Sequence, residues 1–214
     1  MTPWILALVP VAYLMGTFPS AMLVARAAGH DVYAEGSGNP GASNVMRLAG
    51  RKAGILVLAV DFAKGAIPAL VGLAVAGRAG AYVLGIVAIL GHMLPVTHRF
   101  RGGKGVATGG GVVTVLFPWI TLGLGVVWFV VARTTRKASL ASLTAVVLFP
   151  VCVLAAGYPT AEVVAMAGLA VLVIARHAKN LGRLIRGEEH SLDAADDAAD
   201  GPGEDAGGEP TRPG

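Results

Sequence analysis

Long apolar runs separated by short polar stretches set the pattern of this chain. Seven runs can be drawn, over residues 4–28, 53–76, 80–96, 105–117, 119–132, 140–156 and 161–175. About 20 apolar residues in a helix cross the hydrocarbon core of a bilayer. The pattern therefore predicts an all-α integral membrane fold, a seven-transmembrane-helix bundle. The first run contains Pro10, Gly16 and Pro19. Breakers at membrane depth need neighbours for the carbonyls they free, so this helix is expected to be kinked and packed inside the bundle, with Ser20 as one such neighbour. The second run carries Asp61 and Lys64 at helical i, i+3 spacing, where the two charges can neutralise each other. Runs 105–117 and 119–132 are short for a span and meet at Pro118, so they are expected as a tight pair. Gly109-Gly110-Gly111 permits close helix approach there.

The polar stretches hold the candidate chemistry. Residues 29–52 form a long interruption that collects Tyr33, Glu35, Ser37, Asn39, Ser43, Asn44 and Arg47 among spaced glycines, including Gly38 and Gly41. Loops above about a dozen residues are functional or disordered, and this one is too rich in small hydrogen-bonding groups for a linker. A short helix from Ala42 sets Asn44 and Arg47 on one side. The stretch from Phe100 to Thr108 places Gly102, Gly103 and Gly105 around Lys104, with Arg99 and Arg101 upstream. Glycine lets backbone N–H groups approach a ligand closely, and lysine adds a full charge. The following helix would turn its positive end to the same spot. This reads as a phosphate-binding loop. The plainer reading is a helix–helix turn with a lysine on the cytoplasmic side. The spacing is not that of a Walker A loop, because no glycine stands five residues before Gly103 and no Ser or Thr follows Lys104.

Charge then orients the bundle. Loops that fall on one side of seven spans hold Arg26, Arg47, Arg51, Lys52, Arg99, Arg101, Lys104, Arg133, Arg136, Lys137, Arg176, Lys179, Arg183, Arg186 and Arg212. The other side holds Arg78, and Lys64 lies within a run. The positive-inside rule puts the N-terminus outside, the C-terminus in the cytoplasm and every polar motif on the cytoplasmic face. Charged residues make up 14% of the 214-residue chain, against about 25% in soluble domains, and mean hydropathy is +0.68. A net charge of +4, clustered at the ends of apolar runs, argues for topology signals and against nucleic-acid binding. Cys152 is the single cysteine, which excludes an internal disulfide and a cysteine metal site. The first run has no basic region before it and is expected as a retained helix. Residues 1–188 are expected as one transmembrane domain, and 189–214, dominated by Asp, Ala, Gly and Pro, as a disordered acidic cytoplasmic tail.

Four cytoplasmic elements supply the candidate site: the loop Ser37 to Arg47, the loop Gly102 to Thr108, Ser139 with Ser142, and the group His177, Asn180 and Arg183. His177 and Asn180 share a helix face at i, i+3. Ser139 is also expected to cap the run that follows it. Donors are many and carboxylates few, and no set has metal-ligand spacing, so neither metal nor cofactor is expected. Such a site suits phosphates, and two glycine-rich loops suit two phosphate-bearing substrates. A bundle in lipid also gives access to an acyl chain. A transferase at the cytoplasmic leaflet follows. The alternative is a small transporter of phosphate or organic anions, which would carry its polar groups near the midplane.

These residues resemble a known family. Ser37-Gly38-Asn39-Pro40-Gly41-Ala42-Ser43-Asn44-Val45-Met46-Arg47 is similar to the first motif of the bacterial acyl-phosphate:glycerol-3-phosphate acyltransferases. Gly91 to Pro95 continued by Phe100 to Thr108 is similar to the second. Ser139 to Ser142 with Arg176 to Glu188 is similar to the third, and Asp61 to Gly65 also matches. Pro40, Ser43 and Ala178 depart from the family pattern. The resemblance implies a seven-helix enzyme of the bacterial inner membrane that moves a fatty acyl group from acyl phosphate to the 1-hydroxyl of glycerol 3-phosphate. Its products are lysophosphatidate and phosphate, in the first acylation of phospholipid synthesis. The implied partners are the two substrates, membrane lipids and, functionally, the enzyme that makes acyl phosphate. Lys104, Ser142, His177 and Asn180 are the expected catalytic residues. Ser37, Gly38, Asn39, Gly41, Ser43, Asn44, Arg47, Gly102, Gly103, Gly105, Thr108, Ser139 and Arg183 are expected to bind substrate.

Overall fold

A computed structural model describes residues 3–192, and these residues form helices and connecting loops with no strand. The helices are α1 (Pro3–Gly16), α2 (Ser20–Ala27), α3 (Ala42–Met93), α4 (Val106–Leu116), α5 (Pro118–Thr135), α6 (Ala138–Ala155), α7 (Thr160–Arg176) and α8 (Ala178–Arg186). The acidic tail expected from residue 189 is described only to 192, and the rest lies outside the described residues.

Each apolar run becomes helix, and the deviations have local causes. The first run was expected as one kinked helix. It is broken outright over Thr17–Pro19 into α1 and α2. At the break the Phe18 carbonyl accepts from the Ser20 N–H and from Lys64 Nζ, each at 3.0 Å. Lys64 also pairs with Asp61 at 2.8 Å, and Ser20 Oγ donates to Asp61 at 2.5 Å. The buried ion pair thus satisfies the backbone that Pro19 disrupts, as lipid-buried chain requires.

α3 is not straight. Gly50 (φ 83°) and Gly77 (φ 63°) hold left-handed conformations within it, which glycine adopts without penalty. The break at 76–77 divides two legs, 51–75 and 78–93. They lie so close that a Cβ on Gly72 would meet the Gly80 carbonyl, and one on Gly80 the Gly72 carbonyl. α1 packs on the second leg, where Gly16 meets the Ala88 backbone. α4 packs on both legs, Gly65 against Thr108, Gly111 against the Phe62 carbonyl and Gly85 against Val112. α5, α6 and α7 follow in series.

α4 has 11 residues, a rise of about 16 Å against a core of about 30 Å. α5 has 18 residues and runs past its apolar stretch through Thr134 and Thr135, whose hydroxyls donate to the Val130 and Val131 carbonyls. Ser139 does not cap α6. Lys137 occupies that position and Ser139 lies in the first turn. By length and composition, four helical stretches among the described residues can cross a membrane, and α7 with α8, bent by 62°, makes a fifth if the bent pair is one span.

At the end away from the polar loops, the Arg78 guanidinium grips the Glu162 carboxylate. Its Nη1 donates to the Leu116 carbonyl at 2.9 Å, and the guanidinium lies over the Phe117 and Tyr158 rings. Phe117 in turn stacks edge-on with Phe149 and Tyr158. One residue thereby ties the α3 turn, the α4–α5 break and the start of α7.

Candidate active site

The opposite end gathers the polar motifs. Residues 30–41 wrap into a compact loop held by Asn44. Its Oδ1 accepts from the Ser37 N–H at 2.8 Å, and its Nδ2 donates to the Val32 and Glu35 carbonyls. Asn44 is 1% exposed, and these bonds occupy it. The loop is tied to the next motif by Tyr33, whose hydroxyl donates to the Arg101 carbonyl and whose ring lies 4.7 Å beneath the Arg101 guanidinium.

The Gly102-Gly103-Lys104-Gly105 stretch packs against α3. Any side chain on Gly102 would strike the His92 and Met93 carbonyls, and one on Gly103 the His92 ring. The Gly103 N–H donates to the His92 carbonyl, while Arg176 donates to the Gly102 and Gly103 carbonyls at 2.7 and 3.1 Å. The Gly103 N–H is therefore taken up within the protein. Gly105 (φ 85°) turns the chain into α4, whose first N–H groups have no carbonyl of their own helix to bond and carry its positive dipole end.

Between these elements lies a cleft of about 720 Å³ including its open mouth. Of the expected residues, Ser37, Asn39, Gly41, Ser43, Asn44, Arg47, Lys104, Gly105, Ser139, Ser142, His177 and Asn180 line it. Gly38, Gly102, Gly103, Thr108 and Arg183 do not. Gly38 shapes the first loop, with φ of 66°. Thr108 is fully buried against Gly65. Arg183 reaches the cleft through Glu189.

Burial pushes Lys104 down to about 8, with Arg183, Arg47 and Arg176 adding repulsion against the attraction of Glu189. His177 sits at the bend between α7 and α8, and burial pushes it down to about 4. It is therefore neutral near pH 7. Its Nδ1 lies 2.8 Å from the Val173 carbonyl. A carbonyl only accepts, so Nδ1 carries the proton and Nε2 is left as an acceptor. Ser142 Oγ donates to the Ala138 carbonyl and accepts from Trp128 Nε1 at 3.0 Å.

Several lining residues had not been expected: Asp61, His92, Trp128, Glu189 and His190. Glu189 matters most. Its carboxylate accepts from Asn180 at 2.5 Å and from Arg183 at 2.9 Å. Burial raises its pKa, but the hydrogen bonds from Asn180 and Arg183, with the Arg183 charge, outweigh it and hold the carboxyl below its ordinary range. Residues 187–192 form a strap over the cleft, fastened by the Leu192 N–H to the Arg136 carbonyl and by Arg47 to the Ser191 carbonyl. The sequence signal was an acid directly after a basic helix, at the point where composition turns acidic.

A second, apolar groove of about 730 Å³ runs between α4, α5, α6 and α7. It meets the polar cleft at Gly105, Val106, Trp128 and Ser142, which line both. A cationic cleft opening into an apolar groove suits a substrate with an anionic head and an apolar chain.

Comparison with known proteins agrees. The family model described as glycerol-3-phosphate acyltransferase matches residues 6–187. The chain belongs to this glycerol-3-phosphate acyltransferase family. A member from Rubrobacter xylanophilus is 43% identical over 188 residues, 86% of this chain and 94% of that one. A member from Aquifex aeolicus is 42% identical, over 86% of this chain and 97% of that one. Among solved structures, the integral membrane glycerol 3-phosphate acyltransferase PlsY in its glycerol 3-phosphate form matches with a TM-score of 0.84 and 40% identity. The match covers 88% of this chain and 95% of that one. Its lysophosphatidic acid form matches with a TM-score of 0.81. Family and neighbours bear out the expectation of an all-helical integral membrane acyltransferase.

Proposed function

We propose that this protein transfers a fatty acyl group from acyl phosphate to the 1-hydroxyl of glycerol 3-phosphate, releasing lysophosphatidate and inorganic phosphate. The observation that carries this reading is the junction of cationic cleft and apolar groove at Trp128 and Ser142 in a chain of this family. Relatives bear the name glycerol-3-phosphate acyltransferase, and the matched crystal structures hold glycerol 3-phosphate and lysophosphatidic acid.

Acyl phosphate is already activated, since phosphate leaves readily. The hydroxyl oxygen bonds to the carbonyl carbon, and the bond from that carbon to the phosphate oxygen breaks. The protein's task is to hold two anions side by side against their repulsion and to orient the hydroxyl. Lys104 and Arg47 hold glycerol 3-phosphate, with the start of α4. The loop from Ser37 to Asn44, with Ser142, His177 and Asn180, holds the acyl phosphate head, and Ser139 and Arg183 complete its surroundings. The hydroxyl proton passes to a substrate phosphate oxygen. His177, held down to about 4, is a poor match for a base working near neutrality. It accepts a hydrogen bond at Nε2 and orients. On this view His177→Gln loses less than the roughly hundredfold that removal of a general base costs.

The bundle is proposed to span seven times, by α1 with α2, the two legs of α3, then α4, α5, α6 and α7. The N-terminus lies outside and the cleft faces the cytoplasm of a bacterial inner membrane, with a functional link to the enzyme that makes acyl phosphate. Clustering of the polar groups at one end of the bundle speaks against a transporter.

The test offers labelled glycerol 3-phosphate to detergent-purified protein, with acyl phosphate or acyl-CoA in parallel. Lysophosphatidate from acyl phosphate alone is expected. Product from acyl-CoA alone would overturn the donor, and product from neither, in folded protein, the activity.

A further inference from the structure

α8 has two unlike faces. Asn180 and Arg183, three residues apart, turn inward. Asn180 is buried, and both donate to the Glu189 carboxylate. The opposite face is apolar and open. It presents Leu181 and Ile185, four residues apart and so neighbours on the helix surface, with Ile185 79% exposed. At its edge Lys179 and Arg186 are exposed as well.

The open face continues one that begins on α7. Val164, Val171, Ala175 and Ala178 are exposed, and from Val171 through Leu181 to Ile185 the exposed positions recur every three or four residues. That is the helical period, so a single stripe passes through the bend into α8. Where α7 spans the membrane, the stripe faces acyl chains. With α7 near the membrane normal, a bend of 62° lays α8 nearer the membrane plane than the normal. A helix so placed, apolar on one face and basic at its edge, lies in the interface with its apolar side chains at the acyl boundary. Arg186 also pairs with Glu188 at 2.7 Å, but both side chains are exposed. Exposed pairs add little, and a phosphate takes a guanidinium at least as well as a carboxylate does.

We propose that the outer face of α8 docks on anionic lipid headgroups of the leaflet beside the cleft, and that this docking holds Asn180 and Arg183 in the cleft. Lys179 and Arg186 meet the headgroup phosphates, and Leu181 and Ile185 enter the acyl boundary. Each basic residue near an anionic surface shifts such a balance about fivefold. Turnover therefore follows the anionic lipid around the protein. The link to turnover rests on the activity proposed above; the docking does not.

The test uses the full chain in nanodiscs of phosphatidylcholine alone or of phosphatidylcholine with phosphatidylglycerol, both substrates saturating. The quantity read is kcat, because an anionic surface also repels an anionic substrate and so shifts KM by itself. It should be about fivefold higher with phosphatidylglycerol. Lys179→Gln with Arg186→Gln keeps good helix formers. It should remove the increase and leave kcat in phosphatidylcholine as it was. Arg51→Gln with Lys52→Gln, the same loss of charge on α3, should keep the increase. Equal kcat in the two lipids, an increase that survives in the α8 variant, or one lost equally in the α3 variant would overturn the proposal. An effect of the α8 variant that is the same in both lipids would overturn it too, and would point to the acidic segment after Leu192 as the partner of Lys179 and Arg186. A spin label on Ile185→Cys, in a Cys152→Ala background, reads docking without turnover. Its collisions with oxygen should exceed those with a water-soluble nickel complex, and more so with phosphatidylglycerol. Preference for the nickel complex in both lipids would overturn the docking. No transfer by the unaltered protein in either lipid, with the label in the acyl boundary, would remove the activity and still support the docking.

Discussion

Lys104 carries the sharpest consequence of burial in the cleft. An ammonium held down to about 8 is charged below that pH and neutral above it. The free enzyme's affinity for an anionic substrate should therefore fall as pH rises through 8. The kcat/KM for glycerol 3-phosphate should show a descending limb there, since this parameter reports the free enzyme. Lys104→Arg should abolish the limb, because a guanidinium keeps its charge. Lys104→Ala should raise KM tenfold or more at pH 7, in line with the roughly 1.5–3 kcal/mol of a hydrogen bond to a charged group; an unchanged KM would remove the assignment. Glu189 behaves in the opposite sense. Its carboxyl lies below the ordinary range, so the stability it contributes is present above that range and is lost as pH falls through the lowered value. Glu189→Gln should lower Tm by several degrees at pH 7, a loss of about 1–3 kcal/mol. The gap to the unaltered protein should close as the pH is taken down, because both side chains are then neutral. A gap constant with pH would mean that the carboxylate charge contributes nothing.

At the scale of elements, glycine decides how closely the helices approach. Gly65 on α3 meets the Thr108 carbonyl of α4, directly after the cleft-lining stretch Gly105 to Ala107. A methyl group there strikes backbone, which cannot rotate away. Gly65→Ala should therefore cost about 1–3 kcal/mol of overpacking, more than the ~1 kcal/mol that alanine gains in helix propensity. Gly168→Ala on α7, where a Cβ meets nothing, should gain that propensity instead. Thermal unfolding in detergent distinguishes the two. Helices of this kind were legible in the sequence because a long apolar run has one reading in lipid. Their ends were less so. The α1–α2 break sets the Phe18 carbonyl against Lys64, 46 residues away, and no local pattern announces that. α5 outlasts its apolar run through Arg133, Thr134 and Thr135, polar residues that keep helical backbone at the end of a span. The motif loops were legible through their glycines and donors. Trp128 was not, because an indole inside an apolar run signals packing until Ser142 is found beside it. Glu189 was not, because its partners Asn180 and Arg183 make sense of it only after α8 ends at Gly187 and the strap turns back.

For the molecule as a whole, the two ends of the bundle are electrically unlike. One end holds the cleft with Arg47, Lys104, Arg176 and Arg183 around it. At the other, Arg78 is spent on Glu162, the Leu116 carbonyl and two aromatic rings. Basic residues near span ends are retained on the cytoplasmic side, and the proposed orientation follows from that asymmetry. It also suits the chemistry, since one substrate is a small water-soluble phosphate and the other carries a chain that stays in lipid. The orientation can be tested with the chain's own economy of thiols. Cys152 is the single cysteine, so Cys152→Ala gives a background free of thiols. In that background Gly157→Cys, in the turn between α6 and α7, should react with a membrane-impermeant maleimide on intact cells. Lys137→Cys, between α5 and α6, should react only after the membrane is opened. The two sites lie at opposite ends of α6, whose 18 residues rise about 27 Å, close to the thickness of the hydrocarbon core. The reverse labelling pattern would invert the bundle and put the cleft outside the cell. Labelling of both from outside would mean that α6 does not cross, and the seven-span count would fall with it.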